Sequence, residues 1–253
     1  MKTMRKIISV CFCLLAAATA NAQSDFKRLL LSASAESAFA KDGKYAIGVS
    51  YVLPIKGASN IGIGVHYGIA NRSIESGKFV YSCNTIDDEN DNLEYRAYGN
   101  NVKEKQTIHL LEVPIYYQLR VKNLFVNIGP EIAIPIKAEY NTVEGDVVLS
   151  GYYPKYNVEL TNLPNHGFGT YDVTGNQGAL ESQVAWGANV TVGYCYSLGA
   201  VDLNISAYAK ILLNGYVDST EDYLTYPGEI KSLSYIENKQ RVFSLGISLG
   251  IGL

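Results

Sequence analysis

The sequence predicts an all-β protein, a closed antiparallel up-and-down transmembrane β-barrel of eight strands. Three observations support this prediction. Long segments alternate apolar and polar residues with the two-residue period of a strand. The apolar faces are long enough to cross a bilayer, which takes about 9–11 tilted residues. The connections alternate between short and long, as they do in outer-membrane barrels.

The first 22 residues have the pattern of a signal peptide. A basic start precedes an apolar run over residues 7–18, and Ala20-Asn21-Ala22 is a small-x-small cleavage site. We therefore expect a mature chain of residues 23–253 that forms one barrel domain. The apolar run is shorter than a membrane-spanning helix, and no later run of about eighteen apolar residues follows it.

Charge and cysteine content exclude some classes of function. The net charge of −3 becomes −6 once Lys2, Arg5 and Lys6 leave with the signal peptide, which argues against a nucleic-acid partner. Cys83 and Cys195 remain in the mature chain. We expect no disulfide between them, because one is predicted in a loop and the other near the far end of a strand.

The first three predicted strands cover residues 29–39, 45–55 and 61–69. In the first, Leu and Ala alternate with Ser and Glu. In the second, Tyr, Ile, Val and Leu occupy every other position. In the third, Ile, Val and Tyr oppose glycines and His66. Each segment therefore has one apolar face, as a half-buried strand does.

The fourth and fifth predicted strands form a central hairpin, residues 106–121 and 124–139. One face of the first arm is apolar and includes Leu111 and Ile115, while the other includes Glu112 and Arg120. A soluble barrel or sandwich turns its apolar face inward, and its strands are usually shorter. Arms of this length therefore indicate an apolar face directed at lipid.

The last three predicted strands are residues 184–196, 201–213 and 243–253. The middle one sets Leu203, Ile205 and Ile211 against Asp202 and Lys210. The final one alternates large apolar residues with Ser and Gly. The total is eight, the even number expected of a single-chain bacterial outer-membrane barrel.

The connections fall into two groups. Every second connection is short: residues 56–60, 122–123 and 197–199. The others are residues 40–44, 72–105, 140–181 and 215–238, of which three are long. This alternation predicts periplasmic turns at one end of the barrel and three sizeable outer loops at the other.

Prolines within the predicted strands complicate the pattern. Pro54, Pro114, Pro130 and Pro135 require bulges or strand ends, because a closed barrel has no free edge for them. The inside-outside phase can slip at such points, especially after Pro130. Residues 147–153 and 156–160 can pair as a hairpin above the membrane; if they enter it, the barrel has ten strands.

Several motifs resemble those of small outer-membrane β-barrel proteins of Bacteroidetes, the porin-like family that includes PorT-like proteins. The similarity spans the mature chain and rests on residues 20–23, 111–117, 126–131 and 244–253. It implies an outer-membrane location in a Gram-negative bacterium. PorT-like members are linked to protein secretion, but no residue here identifies that role. The final residue is Leu253, whereas many such barrels end in an aromatic residue.

Charged residues on the predicted inward faces are the candidate site. They are Glu36, Glu112, Glu131 and Asp202, with Arg72, Arg120, Lys137 and Lys210 as partners. An eight-stranded barrel is only wide enough for its own side chains, and buried charges must pair. We therefore predict a salt-bridged plug in the lumen. A gated ion path or a small-ligand site is the alternative.

Catalysis is not expected. Gly246-Ile-Ser248-Leu-Gly250 matches the G-x-S-x-G pattern but lacks the turn and helix that this motif requires. His66, His109 and His166 show no metal-ligand spacing, and we predict neither metal nor cofactor. The acidic residues 87–94 lack the pattern of an EF-hand and are interpreted as a solvated outer loop.

These observations predict an integral outer-membrane protein with a plugged polar lumen and a structural or interaction role in the cell envelope. Its expected partners are outer-membrane lipid and other envelope proteins. A narrow passive pore for small solutes or ions, or a component of a secretion assembly, are alternatives. A membrane enzyme and a secreted lipocalin-like carrier are weaker ones.

Overall fold

The computed structural model describes residues 29–38, 42–87, 89–218, 222–225, 228–236 and 243–253. The predicted signal peptide lies outside these residues. Regular structure is antiparallel strand apart from two 3₁₀ turns, Pro164–His166 and Leu233–Tyr235. Among the described residues, no helix is both long and apolar enough to cross a membrane. The all-β prediction is confirmed.

Thirteen strands are described. Their bounds are β1 Leu29–Ala38, β2 Asp42–Lys56, β3 Ser59–Ile86, β4 Asn92–Val121, β5 Leu124–Tyr153, β6 Val158–Leu160, β7 Gly169–Asp172, β8 Gln177–Ala179, β9 Ala185–Ser197, β10 Asp202–Leu212, β11 Leu224–Thr225, β12 Glu229–Ile230 and β13 Phe243–Gly252.

Eight strands form one ring: β1, β2, β3, β4, β5, β9, β10 and β13. Each pairs with the ring strands before and after it in the chain, and β13 returns to pair with β1. The predicted number of strands and their order therefore agree with the structure. The predicted hairpin of residues 147–153 and 156–160 also forms, as the end of β5 with β6, but β6 lies off the ring.

Side chains alternate between the two sides of this ring. Ile115, Ile205 and Ile247 point outward and are 41%, 54% and 64% exposed, respectively. Glu112 and Lys210 point inward and are 3% and 2% exposed. Most apolar side chains of the ring thus lie on its outside, whereas charged residues such as Glu112 and Lys210 lie in its interior.

Beyond the ring, β3, β4 and β5 continue into a second folded unit. β2 pairs with β3 only as far as Asn71, whereas β3 and β4 remain paired up to Ile86 and Asn92. Residues 72–105, predicted as a loop, are instead part of a long hairpin. The upper part of β5 pairs on its other edge with β6, β7 and β8. We call this unit the cap; its described residues are 73–87, 89–104, 140–180, 222–225 and 228–236.

The cap has an apolar core of its own. Tyr95, Leu149, Phe168 and Tyr223 are almost completely buried in it, together with Leu233 from the 3₁₀ turn. The same strands are therefore apolar outward in the ring and apolar inward in the cap. The cap therefore buries apolar side chains in a core, as proteins in water do.

The switch between these two arrangements occurs at a β-bulge in β5. Leu110 pairs with Pro135 and His109 pairs with Lys137, so Ile136 has no opposite residue in β4. A bulge accommodates a proline, which lacks an N–H for the ladder. The predicted phase slip therefore occurs after Pro135 rather than after Pro130.

Candidate functional site

A buried ion cluster lies inside the ring. Glu112 is at its centre: Oε1 accepts hydrogen bonds from Lys44 Nζ at 2.7 Å and from Lys210 Nζ at 2.6 Å. Lys44 Nζ also lies 2.6 Å from Glu36 Oε2, and Lys210 pairs with Glu131. All five residues are buried.

Neutral side chains complete the bonding of the cluster. Asn189 Nδ2 donates to Glu131 Oε2 at 2.9 Å, and the Tyr208 hydroxyl donates to Glu36 Oε2 at 3.4 Å. With these contacts the cluster links β1, β2, β4, β5, β9 and β10. Its charges are costly to bury alone, so each depends on its partners. The arrangement therefore fastens six of the eight ring strands to one another.

The structure brings together only some of the predicted charges. Glu36, Glu112, Glu131 and Lys210 meet in the cluster. Arg72 lies at the cap end of the interior, where it lines a small cavity with Glu36. The other three predicted residues lie apart from the cluster.

Two of these three, Arg120 and Asp202, lie at the end of the interior near the short turns. They line a second small cavity with Gln118 and Asn127. Arg120 Nη2 donates to Cys195 Sγ at 3.1 Å. Their separation from the cluster follows from their position near the β4–β5 and β9–β10 turns.

Lys137 requires a correction, because it is not in the interior. It lies on the outer face, largely exposed, and pairs with Glu139 at 2.7 Å. The bulge at Ile136 turns the residues that follow it, as far as the buried Thr142, to the opposite side. Simple alternation from Glu131 could not reveal this.

Lys44 is the member of the cluster that sequence reasoning missed. The second strand was predicted to begin at Tyr45, which left Lys44 in a turn. In the structure β2 begins at Asp42 and Lys44 faces Glu36 across the β1–β2 pair. The signal was present, since Lys44 has the phase of the inward residues Ala46 and Ser50.

A polar cavity of about 100 Å³ adjoins the cluster. His66, which was predicted to face the lumen, lies in its wall, with Nε2 3.2 Å from Ser50 Oγ. The remaining wall is largely hydroxyl and amide groups: Ser32, Ser34, Asn127, Thr191, Asn204, Ser206 and Ser248. This space suits several water molecules, whereas sites for organic ligands measure about 300–1,000 Å³.

An apolar layer separates the ion cluster from the cap. Ile108 and Leu110 from β4 pack with Ala138 from β5 and with Leu180 and Val217 from the connections. Along β4 this layer follows directly after Glu112, and along β5 it follows Glu131 and Ala133. Toward the cap the charged pairs are therefore followed by apolar side chains, with the small cavity lined by Arg72 beside them.

A second polar network lies in the cap, around Glu104, and sequence reasoning did not find it. Glu104 Oε1 accepts hydrogen bonds from Ser232 Oγ and Gln106 Nε2, both at 2.6 Å, and Oε2 accepts from Leu233 N at 2.9 Å. Burial raises the pKa of the Glu104 carboxyl, although these bonds and Arg72 partly oppose the rise. The network fastens the second 3₁₀ turn to β4.

Glu104 predicts a pH dependence for the cap. Because its pKa is higher in the folded cap than in the unfolded chain, folding favours the protonated acid. Its contribution to stability is complete below the unfolded pKa and declines as pH rises through the folded pKa. The amide-exchange protection factors of residues 228–236, measured relative to the intrinsic exchange rate at each pH, should therefore fall over that interval. In Glu104→Gln, which cannot ionise, this fall should be absent; the same pH profile of protection in both proteins would contradict the assignment.

The motifs from which no chemistry was expected lie as follows in the structure. Ser248 lies in mid-strand in β13, opposite Ser34 and Ser206, without the turn of a nucleophile motif. His109 is on the outer face, where Nδ1 lies 2.5 Å from the Tyr67 hydroxyl. Within the described ranges, no three His, Cys, Asp or Glu residues form a metal-binding group, and Cys83 and Cys195 are free thiols.

Comparison of the sequence with protein-family models and with curated proteins found no match. The resemblance to Bacteroidetes porin-like and PorT-like proteins therefore stays a prediction.

Proposed function

We propose that this protein is an integral β-barrel of the bacterial outer membrane, with an occluded interior, which anchors the cap at the cell surface. Its role is structural or one of interaction in the cell envelope. The observation that carries the proposal is the inverted polarity of the ring, with exposed isoleucines outside and the Glu112–Lys210 pair inside. In water such a continuous apolar exterior would be unfavourable, whereas in lipid it is matched to its solvent.

Exposed aromatic residues support the same orientation. Tyr117, Tyr194 and Tyr196 lie on the outer face near the short turns, and Tyr45 and Trp186 lie near the cap end. Aromatic side chains are enriched at both interfaces of a membrane. The two groups therefore suit the two edges of a lipid-facing band.

A narrow passive pore is the second candidate, and the polar cavity beside the ion cluster is the observation that favours it. The cluster and the apolar layer of Ile108 and Leu110 favour an occluded interior instead. Ions passing this layer would have to leave both water and their charged partners, which is costly. A part in a secretion assembly is compatible with either interior and rests on the family resemblance alone.

Planar-bilayer recording tests the occluded interior. The mature protein should remain in the membrane fraction after alkaline carbonate extraction, and after reconstitution it should give no steady conductance. A steady, large conductance would contradict the occluded interior while leaving the membrane location intact. Release by carbonate would instead contradict the membrane location, as expected of a secreted carrier.

A further inference from the structure

The cap sheet has one covered edge and one uncovered edge. β4 lies between β3 and β5. The far edge of β5 pairs with β6, β7 and β8. The far edge of β3 pairs with β2 only up to Asn71, and in the described part of the chain β4 is the sole strand partner of residues 77–86. Among the described residues, the backbone N–H and C=O groups that residues 77–86 direct away from β4 have no partner strand.

This edge lacks the usual protection against pairing. Natural edge strands carry charges, prolines or bulges. Residues 77–86 contain one charged residue, Lys78, and no proline, and their pairing with β4 is regular. None of their side chains is buried, and Val80 and Ile86 are 64% and 57% exposed. The side chains of this segment are therefore exposed on one face and half-buried on the other, where Phe79 and Tyr81 pack against Tyr223.

We propose that residues 77–86 of β3 form a docking site for an extended segment of another polypeptide, which adds to the cap as a further strand. Backbone hydrogen bonds would supply affinity, and alternate side-chain contacts would supply selectivity. Val80 and Ile86 line one face of the added strand, and Phe79 and Tyr81 line the other. The fitting partner carries apolar or aromatic residues at alternate positions. The inference deepens the proposed function by naming the surface of the cap that takes a partner.

No described residue supplies this strand. The undescribed stretches that interrupt or follow the cap in sequence, residues 219–221, 226–227 and 237–242, are too short to pair along ten residues, and residues 1–28 precede Leu29, which begins β1 at the end of the ring away from the cap. A second copy in the same membrane is also unsuitable. In two copies related by an axis along the membrane normal, β3 strands with the tilt of roughly 35–45° that is usual in outer-membrane barrels would cross at about twice that angle. Crossed strands cannot form a ladder, which leaves an extended segment of a different protein.

A labelled peptide of residues 92–101 is the probe. Its sequence is that of the β4 segment that pairs with residues 77–86 of β3, and its charges at Glu94 and Arg96 cancel. Fluorescence anisotropy with the full-length protein in lipid nanodiscs should show saturable binding. Hydrogen exchange should show new protection confined to residues 77–86. The Val80→Lys/Ser82→Lys variant should bind at least about tenfold more weakly, because charged edge residues oppose strand addition.

The matched control is Val143→Lys/Val158→Lys, which adds the same charge to exposed positions elsewhere in the cap. It should bind the peptide as the unmodified protein does. Equal weakening in both variants, protection outside residues 77–86, or absence of saturable binding would overturn the proposal. So would a dimer of the free protein that Val80→Lys/Ser82→Lys abolishes, since self-pairing would then occupy the edge. None of these results depends on carbonate extraction or conductance, so the docking site and the membrane location can fail separately.

Discussion

Replacing Lys210 by Met should lower the free energy of unfolding by about 3–5 kcal/mol, the cost of removing one partner from a buried charge pair. Lys210 Nζ pairs with both Glu112 and Glu131, and its loss leaves three buried carboxylates with Lys44 as their remaining lysine in the cluster. Urea unfolding in lipid vesicles, followed by the fluorescence of Trp186, the sole tryptophan, measures the change.

Lys137→Met is the matched control, because Lys137 is exposed and pairs only at the surface with Glu139. Its expected effect is within about 1 kcal/mol, the worth of a surface ion pair. Adding Glu131→Gln to Lys210→Met should restore part of the stability by removing an unpaired charge. Equal stability of Lys210→Met and the unmodified protein would refute the role of the cluster as a fastening between strands.

Replacing Ile247 by Arg should destabilise the protein in lipid by about 2–4 kcal/mol, the cost of a cation on the lipid face near the bilayer midplane. Ile247 lies on the outer face in the middle of β13, opposite Ala35 and Ala207 in the neighbouring strands. The same urea titration in vesicles measures this change. On a soluble protein, an exposed substitution of this kind would alter stability by roughly 0.5 kcal/mol or less.

Leu213→Arg provides the comparison of depth. Leu213 is 78% exposed and follows directly after β10 at the cap end of the ring. A cation near the membrane interface costs only about 0–1 kcal/mol. If Ile247→Arg and Leu213→Arg have the same small effect, the outer face of the ring does not face lipid and the proposed location is wrong.

Sequence alternation was sufficient to predict the ring because one rule governs all of it. Each ring strand keeps the same side to the interior over most of its length, as in β10 with Asp202 and Lys210 inside and Ile205 outside. The predicted segments therefore correspond to the ring portions of the eight strands. Glu36, Glu112, Glu131 and Lys210 were identified as inward residues by this rule alone.

Alternation failed as a guide where the strands no longer have an apolar outer face and a polar inner face. The cap encloses an apolar core, and residues such as Ile74 and Tyr95 point into it. Residues 72–105 therefore lack the alternation of the ring strands and were predicted as a loop. Lys137 was wrongly predicted to face the interior. A bulge is defined by the pairing register of two strands, so the sequence of one strand alone does not reveal it. Glu104 was missed because its partners, Ser232 and Leu233, come from a distant part of the chain.

The unbroken passage of β3, β4 and β5 from ring to cap has a mechanical consequence. β4 and β5 are each thirty residues long and are paired along most of that length, without a flexible linker between the two units. A pull on the cap would load their hydrogen bonds in shear, many at once. The cap should consequently move with the ring as one stiff unit, and a force applied to the cap should be transmitted directly to the ring strands.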